Sequence, residues 1–523
     1  MNLVPSHPVL TCAEAKAWEK MLLTDDGAEW LAMRQAGRQL AFSIIADFRE
    51  IGGLPPAARL LVLCGKGHNG GDALLAAHTI LDASAAGFVD VLFCFGEEAL
   101  RPLARRALET LQQKAGARLR EITEDEMTGG SSAYDLCLDA VFGFQFRPPM
   151  DVATAGILAA ANAHPRIRFR AAVDLPSGIS DGGAASAFRA DFTYATGIVK
   201  QPAVAEANGG FVGRLRYLDL GFFNGRMPEA NERVLAETVL APLAGLRSSQ
   251  SDKRTYGHLC VMGGSHNYPG AVMLAVRAAM RSGVGLVTAF VPDSLAPAYA
   301  AAHPEAMWVG CPVNRAGGLS PECLALVRER MKRADALLVG PGLGDDPGTI
   351  GLIRQAVSGS EVPLILDADA LRPEIIREIK AKPFVCTPHA GEFKRIKPAL
   401  YSDNGFDASR GVLVLKGPLT RVSDGRVAYY SPFGGPVLAR GGSGDMLAGL
   451  IAGLLAQAPD QPLLAACRGV VWHGLAADLL ARTLGQVAVE NSQLLEQLGP
   501  ALIQNHARSI DRATGVHDPE RSA

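Results

Sequence analysis

The stretch Gly441-Gly442-Ser443-Gly444-Asp445 combines two things that phosphoryl transfer needs. Its glycines let the backbone turn tightly into a helix, whose first turn offers unpartnered N–H groups to an anion. A carboxylate in that turn is placed to take a proton from a hydroxyl that attacks phosphorus. An acidic residue there is also an ordinary helix-start residue, worth about 0.3–1 kcal/mol. A second stretch, "GKGHNGGDA" from Gly65 to Ala73, sets glycines, a histidine, an amide and a carboxylate between a strand-like run and a helix-period segment. It lacks the Gly-Lys-Ser/Thr ending of a phosphate loop and the glycine spacing of a dinucleotide turn. Asn69 and Asp72 instead bring oxygen donors that a structural turn does not require.

Further polar groups sit where apolar runs end. "LDAVFGFQFRPP" leaves Asp139 at a strand end, with a loop from Gly143 to Pro149 beyond it, and "AVDLPSG" does the same with Asp174 and Ser177. The carboxyl ends of parallel strands are where open α/β sheets bind ligands, so Asn69, Asp139, Asp174 and Ser177 are expected to converge. A hard cation with oxygen ligands and an acid/base carboxylate both fit such a set. Later in the chain, "GPGLG" from Gly340, "LDADAL" from Leu366, "TPHAGEF" from Thr387 and "KGPLT" from Lys416 each follow a strand-like run.

The elements that must position these residues are α/β in both halves. Between Arg59 and Leu220, "RLLVLCG", "VDVLFCFG", "YDLCLDAVFG", "RFRAAVDLPSG" and "GRLRYLDLG" read as strands separated by helix-period segments. Runs apolar on both faces fit central strands of a doubly wound sheet. Two helices broken at "DDG" precede them. Between Phe222 and Thr255 the pattern gives way to a polar, basic join. The strand pattern then resumes with "GHLCVMGG", "GLVTAFVP", "ADALLVGPGLG", "PLILDADAL", "PFVCTPHAGEF" and "GVLVLKGPLT", followed by a hairpin around Asp424-Gly425. Two long helices, about Ser443 to Ala458 and Leu463 to Leu480, are expected to close this half, and the chain from Arg508 is polar.

Composition narrows the partners. The chain has 523 residues, 48% hydrophobic and 20% charged, with 51 Lys and Arg against 53 Asp and Glu. That length suits two to four domains, each with a full core. The charge balance argues against a nucleic-acid stripe or an anionic membrane surface and favours small-molecule partners. Nine cysteines without metal-ligand or CxxC spacing read as buried thiols in a reducing compartment. The N-terminus lacks a basic start and apolar core, and the longest uncharged apolar stretch, from Met446, falls short of the roughly 18 residues of a span. A cytoplasmic protein is expected.

The motifs "GKGHNGGDA", "DAVFGF", "DLPSG" and Lys200 in "TGIVK" together resemble the epimerase domain of bifunctional NAD(P)H-hydrate repair enzymes. The ordered set "GPGLG", "LDADAL", "TPHAGEF", "KGPLT" and "GGSGD" is similar to the ribokinase-like, ADP/ATP-dependent NAD(P)H-hydrate dehydratase domain. The resemblance implies a Rossmann-like epimerase domain over residues 1–223, a linker over 224–250, a ribokinase-like dehydratase domain over 251–505 and a polar tail over 506–523. For the epimerase it implies hydrate contacts at His68, Asn69, Gly70, Gly71 and Asp72, at Gly143, Phe144, Gln145, Phe146, Arg147, Pro148 and Pro149, and at Asp174. It also implies potassium contacts at Asn69, Asp139 and Ser177, with Asp174 as acid/base. For the dehydratase it implies hydrate contacts at Ala271, Gly342, Gly344, His389 and Asp445. Nucleotide contacts would come from Lys416, Gly417, Pro418, Leu419, Thr420 and Gly444. Magnesium would accompany the ADP, and Asp445 would be the base.

The activity implied is interconversion of R and S hydrates (NADHX and NADPHX) and ADP-driven dehydration of the S form to NAD(P)H, AMP and phosphate, by a homo-oligomer. Two departures fall in the first domain, His68 where asparagine is usual and Ala73 where glycine is. Three fall in the second: Arg440 before the glycines, Gly435-Pro436 in place of an asparagine-containing pair, and Arg372 after "DADAL". A cation at Arg440 could hold phosphate or face solvent. Two other readings are a dehydratase whose first domain is a non-catalytic binding or oligomerisation module, and a small-molecule kinase that releases a phosphorylated product.

Overall fold

The computed structural model describes residues 4–514 apart from 130–132, 185, 380–382, 403–404 and 407–410. Two compact units divide the chain, one built from His7–Val234 with Ala481–Gln486, the other centred on Leu235–Leu480 with the chain from Val487. Their boundary falls inside the stretch 224–250. That stretch contains a strand, Glu232–Leu235, and a 3-10 helix, Glu237–Ala244, which its polar composition hid. The last helix, Asn491–Thr514, runs into the polar tail, of which 515–523 lie outside the described residues.

The first unit opens with strand β1 (Ser6–Leu10), helix α1 (Cys12–Leu22) and helix α2 (Asp26–Phe48). Thr11 and Glu14 form a capping box at the start of α1, and Asp25 caps α2 by accepting from the N–H groups of Gly27 and Ala28. The helix break therefore falls beside "DDG". β2 (Arg59–Cys64) leads into α3 (His68–Ala83). There follow β3 (Phe88–Phe93), α4 (Pro102–Ala115), β4 (Leu119–Glu121), β5 (Leu136–Ala140) and α5 (Val152–Ala163). β6 (Arg170–Val173), β7 (Phe192–Thr196), β8 (Val199–Lys200) and β9 (Arg214–Leu218) come next.

The seven-stranded sheet has order β9-β7-β6-β5-β2-β3-β4, and its six neighbouring pairs are all parallel. Strand order reverses between β2 and β5, the switch point where doubly wound sheets open a crevice. Gly65 follows β2 there, and its N–H donates to the Ala140 carbonyl at 3.0 Å. A β-carbon on Gly65 would lie 2.0 Å from the Val141 carbonyl oxygen, so only glycine admits this crossing of strand ends. Beneath the sheet, Asp47 accepts from Tyr194, Arg216 and Arg482. Burial alone would raise the Asp47 carboxyl, but the two guanidinium groups hold it well below the usual carboxylate range.

The second unit repeats the architecture. β10 (His258–Met262) leads through a glycine turn to α6 (Pro269–Arg281), then β11 (Leu286–Pro292), β12 (Met307–Cys311) and β13 (Ala336–Val339). α7 (Pro347–Ser358), β14 (Leu364–Leu366), β15 (Phe384–Cys386), α8 (Ala390–Leu400) and β16 (Val412–Leu415) follow. β17 (Arg421–Ser423) and β18 (Ala428–Tyr430) form the antiparallel hairpin expected around Asp424-Gly425. Sheet order runs β18-β17-β16-β15-β14-β13-β10-β11-β12, with the switch point between β10 and β13. There the Gly264 N–H donates to the Pro341 carbonyl at 2.8 Å.

Two helices pack behind the site, α9 (Ser443–Gln457) and α10 (Pro462–Leu484). α10 is apolar and long enough to cross a membrane, yet 78% of its apolar window is buried inside the protein, as in a core helix. β-Carbons on Gly449 and Gly453 of α9 would lie 2.0 Å from the Ala275 carbonyl oxygen and 2.1 Å from Ser282 Oγ of the α6 region. Small residues one turn apart thus let α9 approach the α6 backbone and bring its N-terminus to the sheet edge. All nine cysteines are free thiols, and Cys94 alone of them is not fully buried. Gly449→Val is expected to destabilise this unit by about 1–3 kcal/mol or more through overpacking, read as a lower denaturation midpoint. An unchanged midpoint would mean that α9 and α6 can separate without cost.

Candidate active sites

In the first unit the strand ends surround a cavity of about 460 Å³. His68, Asn69, Asp72, Gly143 to Arg147, Pro149 and Asp174 line it. Gly70, Gly71 and Pro148 do not: a β-carbon on Gly70 would strike the Gly65 carbonyl, and one on Gly71 would strike Met33 Sδ. Those two glycines serve the turn and its packing. Ala73 is fully buried in the apolar core and is absent from the cavity wall. His68 sits at the rim, its Nε2 3.2 Å from Glu29 Oε2. Lys66, Arg101 and Arg147 add positive charge to the wall.

Asp174 adopts φ 68°, in the left-handed region that non-glycine residues rarely occupy. Its Oδ1 accepts from Lys200 Nζ and, at 3.2 Å, from Thr196 Oγ1, while Oδ2 is buried without a hydrogen-bond partner. Lys200 is fully buried, is positioned by the parallel pairing of β1 with β8, and lies 4.7 Å from the Phe144 ring centroid. Two further carboxylates share this one ammonium. Burial, then the neighbouring charge of Asp174, pushes Asp72 well above the usual carboxylate range. Burial likewise raises Glu19, on α1, to about 7 against the opposing pull of Lys200. Glu19 lines the cavity and went unnoticed in the sequence, where it is one acidic residue on an amphipathic helix.

Asp139 and Ser177 lie behind this wall. Asp139 is fully buried, accepting from Ser177 N at 2.7 Å and Ser177 Oγ at 2.6 Å. Burial raises its carboxyl to about 6, and no cationic side chain among the described residues pairs with it. Asn69 Nδ2 donates to the Phe142 and Val173 carbonyls at 3.0 and 2.8 Å, and its Oδ1 faces Gly143. The structure thus brings Asn69, Asp139, Asp174 and Ser177 to one sheet edge.

In the second unit Gly442, at φ 96°, caps α9, and Asp445 stands in the first turn. A β-carbon on Gly444 would lie 3.1 Å from Lys416 Nζ, so the ammonium covers the helix N-terminus. Lys416 Nζ donates to Asp367 Oδ1 at 2.8 Å, and the same oxygen accepts from Thr387 Oγ1 at 2.7 Å. Burial works against the charge on Lys416, but Asp367 outweighs it and the ammonium is strengthened. Burial, then Asp367, raises Asp445 to about 7, with Lys416 pulling the other way. The Gly441 carbonyl accepts from Asn491 Nδ2 at 2.6 Å, which holds the glycine turn. No sequence signal marked Asn491, because it is distant in the chain and lies at an ordinary helix start.

The remaining predicted residues cluster around this centre. Gly342 packs on Ala271 and on the Tyr268 carbonyl. Gly344 N–H donates to Asp369 Oδ2 at 2.8 Å. His389 is also a helix cap: its Nδ1 accepts from the Gly391 and Glu392 N–H groups, leaving Nε2 to carry the ring proton on a side chain 61% exposed. Pro388 O accepts from Lys416 N, which joins the "TPHAGEF" and "KGPLT" segments. Gly417 and Pro418 are exposed in the turn beyond β16, and Thr420 O accepts from Ser431 N. The guanidinium of Arg440 donates to the Val487 carbonyl, and that of Arg372 to the Asp369 carbonyl, so each braces a loop.

Residues 259–499 match the family model described as NAD(P)H-hydrate dehydratase, and residues 31–202 match the YjeF-related protein N-terminus. The chain is 34% identical to the bifunctional NAD(P)H-hydrate repair enzyme Nnr of Moorella thermoacetica, over 92% of this chain and 93% of that protein. It is 35% identical to the protein of the same name from Gloeobacter violaceus, over 90% and 93%. Among solved structures it is similar to the ADP/ATP-dependent NAD(P)H-hydrate dehydratase of Bacillus subtilis, co-crystallised with ATP and Mg2+, with 26% identity and a TM-score of 0.42 over 52% of this chain and 97% of that one. With both family models matched in order and relatives matched almost end to end, the chain belongs to the bifunctional NAD(P)H-hydrate repair enzymes.

Proposed function

We propose that the chain repairs hydrated nicotinamide nucleotides, epimerising R- and S-NAD(P)HX in the first unit and dehydrating S-NAD(P)HX at the expense of ADP in the second. The observation that carries the second activity is Asp445. It is a carboxylate raised to about 7 in the first turn of a glycine-opened helix whose N-terminus lies under Lys416. A base of that pKa is partly ionised at neutral pH and strong enough to take a hydroxyl proton as the P–O bond forms.

In the step we assign to it, Asp445 removes the proton of the hydrate's hydroxyl and the oxygen attacks the terminal phosphorus of ADP. AMP leaves, and the backbone N–H groups at Gly444 with Lys416 neutralise the transferring phosphate. The ring nitrogen's lone pair then expels phosphate, and loss of a proton from the adjacent ring carbon restores the dihydropyridine. Ala271, Gly342, Gly344 and the Nε2–H of His389 would hold the hydrate, and Lys416 to Thr420 the nucleotide. Among the described residues no cluster of three His, Cys, Asp or Glu is disposed to hold a metal. This suits magnesium carried by nucleotide phosphates and water, as that ion usually is.

At the first site the donor set fits potassium. A buried Asp139 without a cationic partner, the Ser177 hydroxyl and the Asn69 amide, turned to present its oxygen, supply oxygen donors and one negative charge. Potassium would supply positive charge beside the cavity. Asp174, with one oxygen bound to Lys200 and the other unpartnered, is the acid/base group.

Three outcomes are expected. Asp445→Asn should lower the turnover number for dehydration by about 10²–10⁴-fold while leaving nucleotide affinity unchanged in a direct binding titration. Near-normal turnover would remove Asp445 as base. Recovery of NADH absorbance from S hydrate should require a nucleotide, tested with ADP, ATP and neither; a stable phosphorylated product would make the second unit a kinase. Pure R hydrate at low temperature should epimerise faster with the enzyme in potassium chloride than in choline chloride, and Asp139→Asn should erase that difference. Equal rates in the two salts would remove the potassium assignment, and no acceleration in either would leave a dehydratase alone.

A further inference from the structure

Epimerisation asks more of its site than one base. In the hydrate the hydroxyl sits on a ring carbon bonded to the ring nitrogen. Inversion there can proceed by breaking the C–O bond, forming an iminium ion and adding water to the other face. The departing oxygen must receive a proton, and the arriving water must lose one. Two proton-transfer groups of opposite starting state serve this better than one, the pattern by which paired carboxylates divide acid and base roles.

The cavity holds such a pair. Asp174 is bound through Oδ1 to Lys200 Nζ, and its Oδ2 has no hydrogen-bond partner, which leaves an acceptor position open. Glu19 reaches the same wall from α1. Its carboxylate makes no hydrogen bond and no ion pair to any described residue, so the fold gives it no structural task. The helix that carries it is nonetheless fixed: Thr11 caps it, Cys12 N donates to both carboxylate oxygens of Asp181 at 3.0 and 3.1 Å, and Trp18 Nε1 donates to the Phe222 carbonyl at 3.0 Å. Burial holds Glu19 at about 7, with Asp174 and Glu29 adding to the rise and Lys200 opposing it. Asp72 also lines the cavity, but its side chain is buried, whereas Glu19 is partly open. His68 is engaged with Glu29 at the rim.

We infer that Glu19 is the general acid of the epimerase site, protonating the departing hydroxyl while Asp174 accepts the proton of the incoming water. The C–O bond breaks to water and an iminium ion. Water then adds through its oxygen, its surplus proton passes to Asp174, and the net transfer from Glu19 to Asp174 is reversed through solvent or by turnover in the other direction. No redox change and no co-reactant enter. The inference rests on the epimerase reading above.

Its test uses the full chain with R hydrate at low temperature and follows formation of the S form through the dehydratase. Glu19→Gln should lower the epimerase turnover number by about 10²-fold or more, leave KM and the dehydration of S hydrate unchanged, and keep the wild-type melting temperature. The wild-type kcat/KM should fall as pH rises through about 7, where the acid loses its proton, and the Glu19→Gln variant should lack that limb. Glu19→Asp should restore part of the rate and the limb. A Glu19→Gln enzyme with near-wild-type turnover, or one that keeps the limb while Asp72→Asn removes it, overturns the assignment. A wild-type chain that does not accelerate epimerisation overturns the epimerase reading itself, and the assignment of Glu19 with it.

Discussion

Both sites depend on a shortage of buried positive charge. In each unit one lysine ammonium lies among several carboxylates at the carboxyl edge of a parallel sheet: Lys200 beside Asp174, Asp72 and Glu19, and Lys416 beside Asp367 and Asp445. The ammonium binds one partner directly, Asp174 in the first unit and Asp367 in the second. The others, Asp72, Glu19 and Asp445, are raised by desolvation that the one ammonium does not offset. Removing water from these carboxylates costs far more than one cation can return, so protonation is the available response. A fold that supplied a second buried lysine would be more strongly paired and less able to move protons at neutral pH.

The topology decides where that shortage arises. In both sheets the strand order reverses beside a strand that ends in glycines, after Cys64 and after Met262, and the crevice so opened collects residues from distant motifs. Strand pairing carries the lysines to it. Lys200 ends a strand paired with Val9 and Leu10, and Lys416 follows β16, where His389 forms an isolated bridge with it. Close packing completes the second site, since α9 reaches the sheet edge only because Gly449 and Gly453 admit the α6 backbone.

Residues whose role is visible in local chemistry were legible in the sequence. The glycine-opened helix with Asp445, the strand-end residues Asp139, Asp174 and Ser177, and the apolar runs of the central strands all declared themselves by type and spacing. Short edge strands such as Leu119–Glu121 and Met307–Cys311 did not, because few residues and exposed faces leave little periodicity. Glu19 and Asn491 were hidden for a different reason: each is an ordinary helix residue whose meaning comes from what the fold places opposite it. His68 and Ala73 separate in three dimensions, one lying on the cavity rim and the other within the core. Arg440, equally open to two readings in the sequence, spends its guanidinium on a carbonyl.

The charge shortage is tested most directly by infrared titration of carboxyl C=O stretches, as difference spectra between the wild type and its Asp445→Asn and Glu19→Gln variants. Each variant is predicted to lack one protonated-carboxyl band that the wild type shows at pH 6 and loses around pH 7. Difference spectra in which Asp445 and Glu19 are already fully ionised at pH 6 would contradict it.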